Sequence, residues 1–182
     1  MKLKTTIMKK ILNTAAEKTP GLFRRIELQV LCNLAADTFG QKRTRVWTLT
    51  SKRGLQAYAA FTVRCMEETP VDRATLYRSA YRLGRKIRRV TGFRDADDIR
   101  KLIFLLYQNI GIEMDGRIPG VIRIQKCYFS RCYSPARCRM MSAVDAGIIA
   151  GICGGGKLHF TNRITEGCPQ CRAFFVKEKT DA

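Results

Sequence analysis

Cysteines gathered in one late segment are the first sign of chemistry in this chain. Six of its eight cysteines fall between Cys127 and Cys171. Cys168 and Cys171 form a Cys-x-x-Cys knuckle, a spacing at which two thiolates can bind one metal ion. Cys127, Cys132 and Cys138 lie around a loop that leaves a predicted strand and enters a predicted helix. Soft thiolate ligands select zinc or iron–sulfur clusters. We therefore predict a zinc or iron–sulfur site held by these five cysteines.

Other interpretations of the cysteines stay open. A free cysteine is often a small buried apolar side chain, and we prefer this interpretation for Cys32, Cys65 and Cys153. A redox dithiol at Cys168 and Cys171 is a further alternative. It is weakened because the pair does not begin a helix after a strand, as thioredoxin-like sites do.

Two further side chains are candidates for acid–base catalysis. Asp145 lies in the otherwise uncharged residues 140–156, where a buried carboxylate needs a partner or its pKa rises. Arg163 or Lys157 could supply that partner, so a catalytic role and a structural ion pair are equally open. His159 is the single histidine, on an alternating strand, and is either a general base or ligand or a solvent-facing residue.

Two weaker motifs accompany these candidates. Residues 151–157 nearly fit a phosphate-binding loop, but Leu158 replaces the Ser or Thr that would hold magnesium. The order of elements there, helix then loop then strand, favours a glycine-rich turn. Glu166 precedes the knuckle and is either a metal ligand, a support for one, or a surface turn residue.

The pattern of apolar residues predicts an α+β fold in a single domain of 182 residues. A helical bundle packs on a small C-terminal antiparallel sheet that carries a cysteine-rich helix. Residues 1–20 form a basic arm or helix, residues 21–111 the helical part, and residues 112–182 the cysteine-rich α+β part. The helices are predicted over 22–39, 51–66, 72–92, 95–111 and 137–152, and the strands over 120–129, 157–164 and 172–177.

The charge of the chain predicts contact with polyanions. A formal net charge of +19 attracts nucleic acid, anionic lipid or acidic small molecules, and it also raises solubility. Arg82, Arg85, Lys86, Arg88 and Arg89 form a basic helical stretch that could neutralise phosphates or could simply be a solvated face.

The location of the protein is predicted to be the cytoplasm. No apolar run approaches the roughly 20 residues that span a bilayer. Lys9 and Lys10 interrupt the N-terminal apolar stretch, so we predict no signal peptide. Without export, the cysteines remain reduced thiols, which argues against a disulfide framework.

Residues 121–176 resemble the L-2-amino-thiazoline-4-carboxylic acid hydrolase-like family and the vinyl-reductase-type small-molecule-binding domains. The resemblance rests on Cys127 at a strand end, on Asp145-Ala-Gly, on residues 158–167 and on Cys171-Arg-Ala-Phe-Phe. It implies helices packed on an antiparallel sheet around a ligand pocket, with zinc on cysteines in some members. The Lys126-Cys127 pair is also similar to the cysteine-rich region of the plastid carotenoid-isomerase family.

Three functions follow as hypotheses. The first is a cysteine-ligated metal or iron–sulfur protein with a small-molecule pocket, either an enzyme or a ligand sensor, in which Asp145 or His159 acts as acid or base. The second is a basic nucleic-acid-binding module with a structural metal site. The third is a metal-independent hydrolase of a small thiazoline- or amide-like substrate.

Overall fold

The computed structural model describes residues 52–68 and 72–177. The predicted basic arm, the predicted helix over 22–39 and Cys32 lie outside these residues. The described helices and strands are α1 (Lys52–Glu68), α2 (Arg73–Thr91), α3 (Ala96–Asn109), β1 (Ile112–Asp115), β2 (Val121–Cys127), α4 (Pro135–Cys153), β3 (Lys157–Asn162) and β4 (Cys171–Val176). Short 3₁₀ turns cover Tyr128–Arg131 and Ile164–Glu166.

The four strands form one antiparallel sheet in the order β1-β2-β4-β3. Ile124 pairs with Cys171, and Ala173 lies between Ile122 and Phe160. These residues share the inner face, because side chains alternate along a strand. The end of β2 and the start of β4 therefore meet at the same end of the sheet. Cys127 is the last residue of β2, and Cys171 is the first residue of β4.

Local sequence signals set the ends of the helices. The Asp72 carboxylate accepts a hydrogen bond from the Thr75 amide at 2.7 Å and begins α2. Gly92 ends this helix in the left-handed conformation, with φ of 68°. Ser134 caps α4, and Gly154 ends it with φ of 86°. The glycine-rich segment thus closes a helix ahead of β3, as the order of elements predicted.

Helix α4 is the central element of the fold. It packs along α2 on one side and contacts β3 and α3 on the other. Nine of its 19 residues are buried, and they are mostly glycine, alanine and isoleucine. Because α4 is covered on two sides, its sequence shows no single apolar stripe. Side chains on this helix are therefore held firmly against the sheet.

Helices α2 and α4 touch backbone to backbone at glycines. A Cβ atom on Gly151 would lie 2.4 Å from the Tyr81 carbonyl oxygen, and one on Gly84 would lie 2.4 Å from the Ile148 carbonyl oxygen. Gly147 meets the Tyr77 carbonyl oxygen in the same way, at 2.5 Å. No side chain larger than hydrogen fits at these positions, so the glycines determine how closely the two helices approach.

The structure confirms the α+β prediction for the described residues: four helices accompany one antiparallel sheet. Strand β1 was not predicted; it has only four residues, and its register shifts between Glu113 and Met114. None of the helices in the described ranges is both long and apolar enough to cross a membrane.

Replacing Gly151 with alanine tests the close helix contact. We expect Gly151→Ala to destabilise the protein by about 1–3 kcal/mol through overpacking, even though alanine favours a helix by about 1 kcal/mol over glycine. Urea denaturation measures the change. The control is Arg82→Ala on the exposed side of α2, which should stay within about 0.5 kcal/mol of the native protein. A Gly151→Ala protein as stable as the native one would contradict the contact.

Candidate active site at Asp145

A cavity of about 80 Å³ lies between α4 and the end of the sheet where β2 and β4 meet. Three thiols and one carboxyl are among the groups that line it, from Cys127, Cys138, Cys171 and Asp145. Cys138 and Asp145 are seven residues apart on α4. They share one side of that helix because seven residues make about two turns. The cavity therefore collects residues from three separate segments of the chain.

Asp145 is the ionisable centre of this cavity. The Tyr107 hydroxyl on α3 donates a hydrogen bond to its Oδ1 atom at 2.9 Å. The Asp145 side chain is half-buried, and the part of it that remains accessible faces the cavity. Desolvation by burial raises the pKa of Asp145 to about 6, while the Tyr107 hydrogen bond and the charge of Arg163 oppose this rise. The carboxyl thus changes protonation close to neutral pH.

The three thiols of the cavity are protonated at neutral pH. Burial raises the pKa of Cys127 to about 12, and the nearby amides of Phe129 and Ser130 only partly oppose it. Burial also raises the pKa of Cys138 and of Cys171. A thiol with a raised pKa is a weak nucleophile but remains a hydrogen-bond donor.

Arg163 places a positive charge beside the cluster. Its Nε atom lies 3.5 Å from the Ser142 hydroxyl, and its guanidinium stacks over the Phe160 ring at 5.1 Å. The charge of Arg163 lowers the pKa values of Asp145 and Cys138, against the larger effect of burial. The predicted partnership of Arg163 with Asp145 therefore acts through charge, whereas the direct hydrogen-bond donor is Tyr107.

Thr165 adds a polar group to the cavity wall. Its hydroxyl is buried and makes no hydrogen bond of normal geometry with any described group. The hydroxyl lies near the Cys138 thiol and moderates the rise in the pKa of that thiol. The Cys138 sulfur is a weak acceptor, so the buried hydroxyl can still donate a hydrogen bond to a ligand in the cavity.

The five predicted metal ligands do not all reach this cavity. Cys132 ends a 3₁₀ turn, and the Cys168 sulfur lies 3.7 Å from the Asn162 amide nitrogen. Neither lines the cavity. Within residues 52–68 and 72–177, no three or more His, Cys, Asp or Glu side chains form a group able to hold a metal ion. The described residues thus offer no ready metal site, and the metal prediction remains untested.

The other candidates lie elsewhere. His159 is exposed on β3 opposite Phe174, on the outer face of the sheet. Glu166 accepts a hydrogen bond from Arg139 at 2.6 Å. All seven described cysteines are free thiols, and Cys65 is buried, as its predicted structural role requires.

The basic residues of α2 form an exposed stripe that the cavity does not use. Arg78, Arg82, Arg85 and Arg89 are exposed at helical spacings of four, three and four residues, so they share one side of α2. The sequence of α2 contains no acidic residue. The stripe is the surface on which the nucleic-acid prediction would rest, and binding stays a prediction.

Sequence reasoning missed Tyr107 and Thr165 as site residues. Tyr107 belongs to the apolar stripe of α3, and nothing in its local sequence marks it as the donor to a residue 38 positions later. Thr165 lies in a short 3₁₀ turn ahead of the knuckle. Both assignments depend on tertiary packing.

Comparison of the chain with protein-family models, with curated proteins and with solved structures gives no match.

The raised pKa of Asp145 predicts a pH-dependent stability. Because the folded pKa of about 6 exceeds the ordinary 3.8, ionisation of Asp145 opposes folding increasingly as the pH rises through this window. Full ionisation costs up to about 3 kcal/mol. We expect Asp145→Asn, which can still accept the Tyr107 hydrogen bond, to stabilise the protein at pH 7.5.

Denaturant titrations of both proteins from pH 3.5 to 7.5 measure this effect as a difference in the free energy of unfolding. The advantage of Asp145→Asn should shrink toward pH 3.5, where the Asp145 carboxyl is mostly protonated in the folded and the unfolded protein. A difference that does not change with pH would show that Asp145 is not desolvated.

Proposed function

We propose that the protein is a metal-independent hydrolase of a small amide- or thiazoline-like substrate, with Asp145 as general acid and base. The observation that carries the proposal is the Asp145 carboxyl, which lines a cavity, has a raised pKa and accepts a hydrogen bond from the Tyr107 hydroxyl. Perturbed carboxyls in cavities are typical of catalytic acids and bases. The resemblance of residues 121–176 to the thiazoline-carboxylate hydrolase-like family supports the same class of substrate.

The dimensions of the cavity limit what can enter. A volume of about 80 Å³ holds a few non-hydrogen atoms, so only the reacting group of a substrate and a water molecule fit together. The wall is otherwise mostly apolar, with Tyr58, Ile112 and Val144 among its residues. Such a wall excludes bulk water and strengthens the electrostatic interactions inside.

Asp145 would act twice in the reaction. As a carboxylate it accepts a proton from water while the water oxygen bonds to the carbon of the C=O or C=N group, whose π electron pair moves to the oxygen or nitrogen. With an amide, the protonated carboxyl then donates that proton to the nitrogen as the C–N bond breaks and the C=O bond re-forms. With a thiazoline, it donates the proton to the ring nitrogen, and the ring opens as the C–S bond breaks and the remaining hydroxyl proton passes through Asp145 to the sulfur. Tyr107 is a positioning residue, since its hydroxyl fixes Oδ1 and lowers the pKa of Asp145. A pKa near the working pH is the optimum for both steps.

The thiols and the Thr165 hydroxyl would orient the substrate. Cys127, Cys138 and Cys171 are neutral donors with polarisable sulfur, which suits an uncharged amide or a ring containing sulfur. A cytoplasmic location is part of the proposal, since the thiols must stay reduced.

Turnover of a panel of small amides and thiazolines tests the proposal. We expect Asp145→Asn to lower kcat by at least about 100-fold while the folded protein gains stability at neutral pH. In Tyr107→Phe the pKa of Asp145 rises because a hydrogen bond to the carboxylate is lost. The acid limb of the pH–rate profile should therefore move to higher pH.

The control for this experiment is His159→Ala. Its side chain is exposed on the outer face of the sheet, so activity should be unchanged. Saturable binding of panel compounds without turnover would contradict the enzyme proposal and favour a ligand sensor. Full activity of Asp145→Asn would remove the acid–base mechanism.

Metal analysis separates this proposal from the metal-centre hypothesis. The protein, purified anaerobically, should contain well below one zinc or iron per chain and show no visible absorption band. One zinc per chain, or the colour of an iron–sulfur cluster, would contradict the proposal. The variant Cys127→Ser identifies whether any bound metal depends on the cavity, because it removes one thiol there.

A further inference from the structure

A second and larger cavity lies at the opposite end of α4. It is a cleft of about 410 Å³, within the size range of small-molecule sites. Its walls come from the start of α3, the end of α4, the β1–β2 connection, the start of β2 and the end of β4. The cleft is distinct from the Asp145 cavity, because β2 runs from one to the other and no lining residue is shared.

The floor of the cleft is apolar. Ile99 and Ile103 of α3 and Ile149 of α4 line it and are buried, and Phe104 and Phe175 add two aromatic rings. These side chains offer an apolar ligand a surface that water wets poorly, and burying such surface favours binding.

Four cations surround this floor: Arg88, Arg94, Arg100 and Lys177. Asp97 is the single acidic residue in the lining, and it pairs with Arg100 at 2.9 Å. Within the described ranges, Arg94 and Lys177 have no ion-pair partner and both are exposed. The rim therefore carries a net positive charge with two cations available to a ligand.

Arg88 is held in place at the cleft. Its Nη1 atom donates a hydrogen bond of 2.8 Å to the Ile152 carbonyl oxygen near the end of α4. The charges of Arg88 and Lys177 both act on the Cys153 thiol in the cleft wall and oppose the rise in its pKa that burial causes. Two cations from distant parts of the chain thus converge on one side of the cleft.

We propose that this cleft binds an amphipathic organic anion, a molecule with an apolar body and one anionic headgroup. The apolar floor takes the body, and Arg94, Lys177 and the anchored Arg88 take the headgroup. A neutral apolar ligand would make no contact with the cations, and a strongly polar anion would not bury the apolar floor. The cleft therefore favours a ligand that has both an apolar body and an anionic group. The site is independent of catalysis at Asp145.

Isothermal titration of the full chain with decanoate, decyl phosphate and decanol tests the proposal. We expect one saturable site per chain for at least one of the two anions, with decanol at least tenfold weaker. Affinity should fall with added salt, because the headgroup contacts lie at an exposed rim. The comparison of decanoate with decyl phosphate identifies the headgroup that the rim prefers.

Variants locate the site. Ala96 is exposed and lines the cleft, so Ala96→Trp should block binding without disturbing the core. The double variant Arg94→Ala/Lys177→Ala should bind the preferred anion at least tenfold more weakly. The matched control Lys101→Ala/Lys126→Ala removes two positive charges outside the cleft and should bind as the native protein does. A thermal melt of each variant confirms folding.

Three results would overturn the proposal: decanol binding as tightly as the anions, equal affinities of the two double variants, or no saturable binding of either anion. The Asp145→Asn protein should bind the anion normally. If the protein turns over no substrate but binds the anion, only the Asp145 proposal fails. If it turns over substrate but does not bind the anion, only the cleft proposal fails.

Discussion

A carboxyl on a covered helix is the constraint on which the rest of the site depends. Helix α4 lies between α2 and the sheet, and Asp145 is its single acidic residue. An ionised carboxylate in such a place loses hydration, and the Tyr107 hydroxyl at 2.9 Å replaces only part of it. The position of α4 is in turn fixed by the glycine contacts with α2. The packing of α2 against α4 therefore contributes to the raised pKa of Asp145.

That constraint links stability to function. A leucine or alanine in place of Asp145 would suit a covered helix better on packing grounds alone, so the carboxyl lowers the stability of the fold. The cavity beside it gives the carboxyl access to a small reacting group, and protonated thiols and the Thr165 hydroxyl complete the wall. The cleft at the far end of α4 has a different character, since its charges lie at the rim and its floor is apolar.

Much of the fold could be predicted from the sequence, because its signals are local. Asp72 and Gly154 mark helix ends by capping chemistry, and alternation of apolar residues marked β3. The uncharged surroundings of Asp145 predicted a carboxyl that needs a partner, and in the structure the Tyr107 hydroxyl donates a hydrogen bond to it. Strand β1 was not predicted, because four residues with an irregular register show almost no alternation of apolar and polar side chains.

The parts of the site that could not be predicted depend on distant contacts. The partner of Asp145 is Tyr107 on another helix, and no spacing rule connects the two. The cysteines looked like one cluster in the sequence, yet a 3₁₀ turn separates Cys132 from the cavity and the knuckle contributes only Cys171 to it. The cleft is built from several separate segments, so only the folded chain reveals it.

The central claim is that Asp145 is a desolvated carboxyl within the folded protein. A pH titration of the Asp145 carboxyl carbon by ¹³C NMR, assigned with the Asp145→Asn protein, measures its pKa directly. We expect a midpoint near pH 6, well above the value in the unfolded chain. A midpoint near the ordinary 3.8 in the folded protein would contradict it.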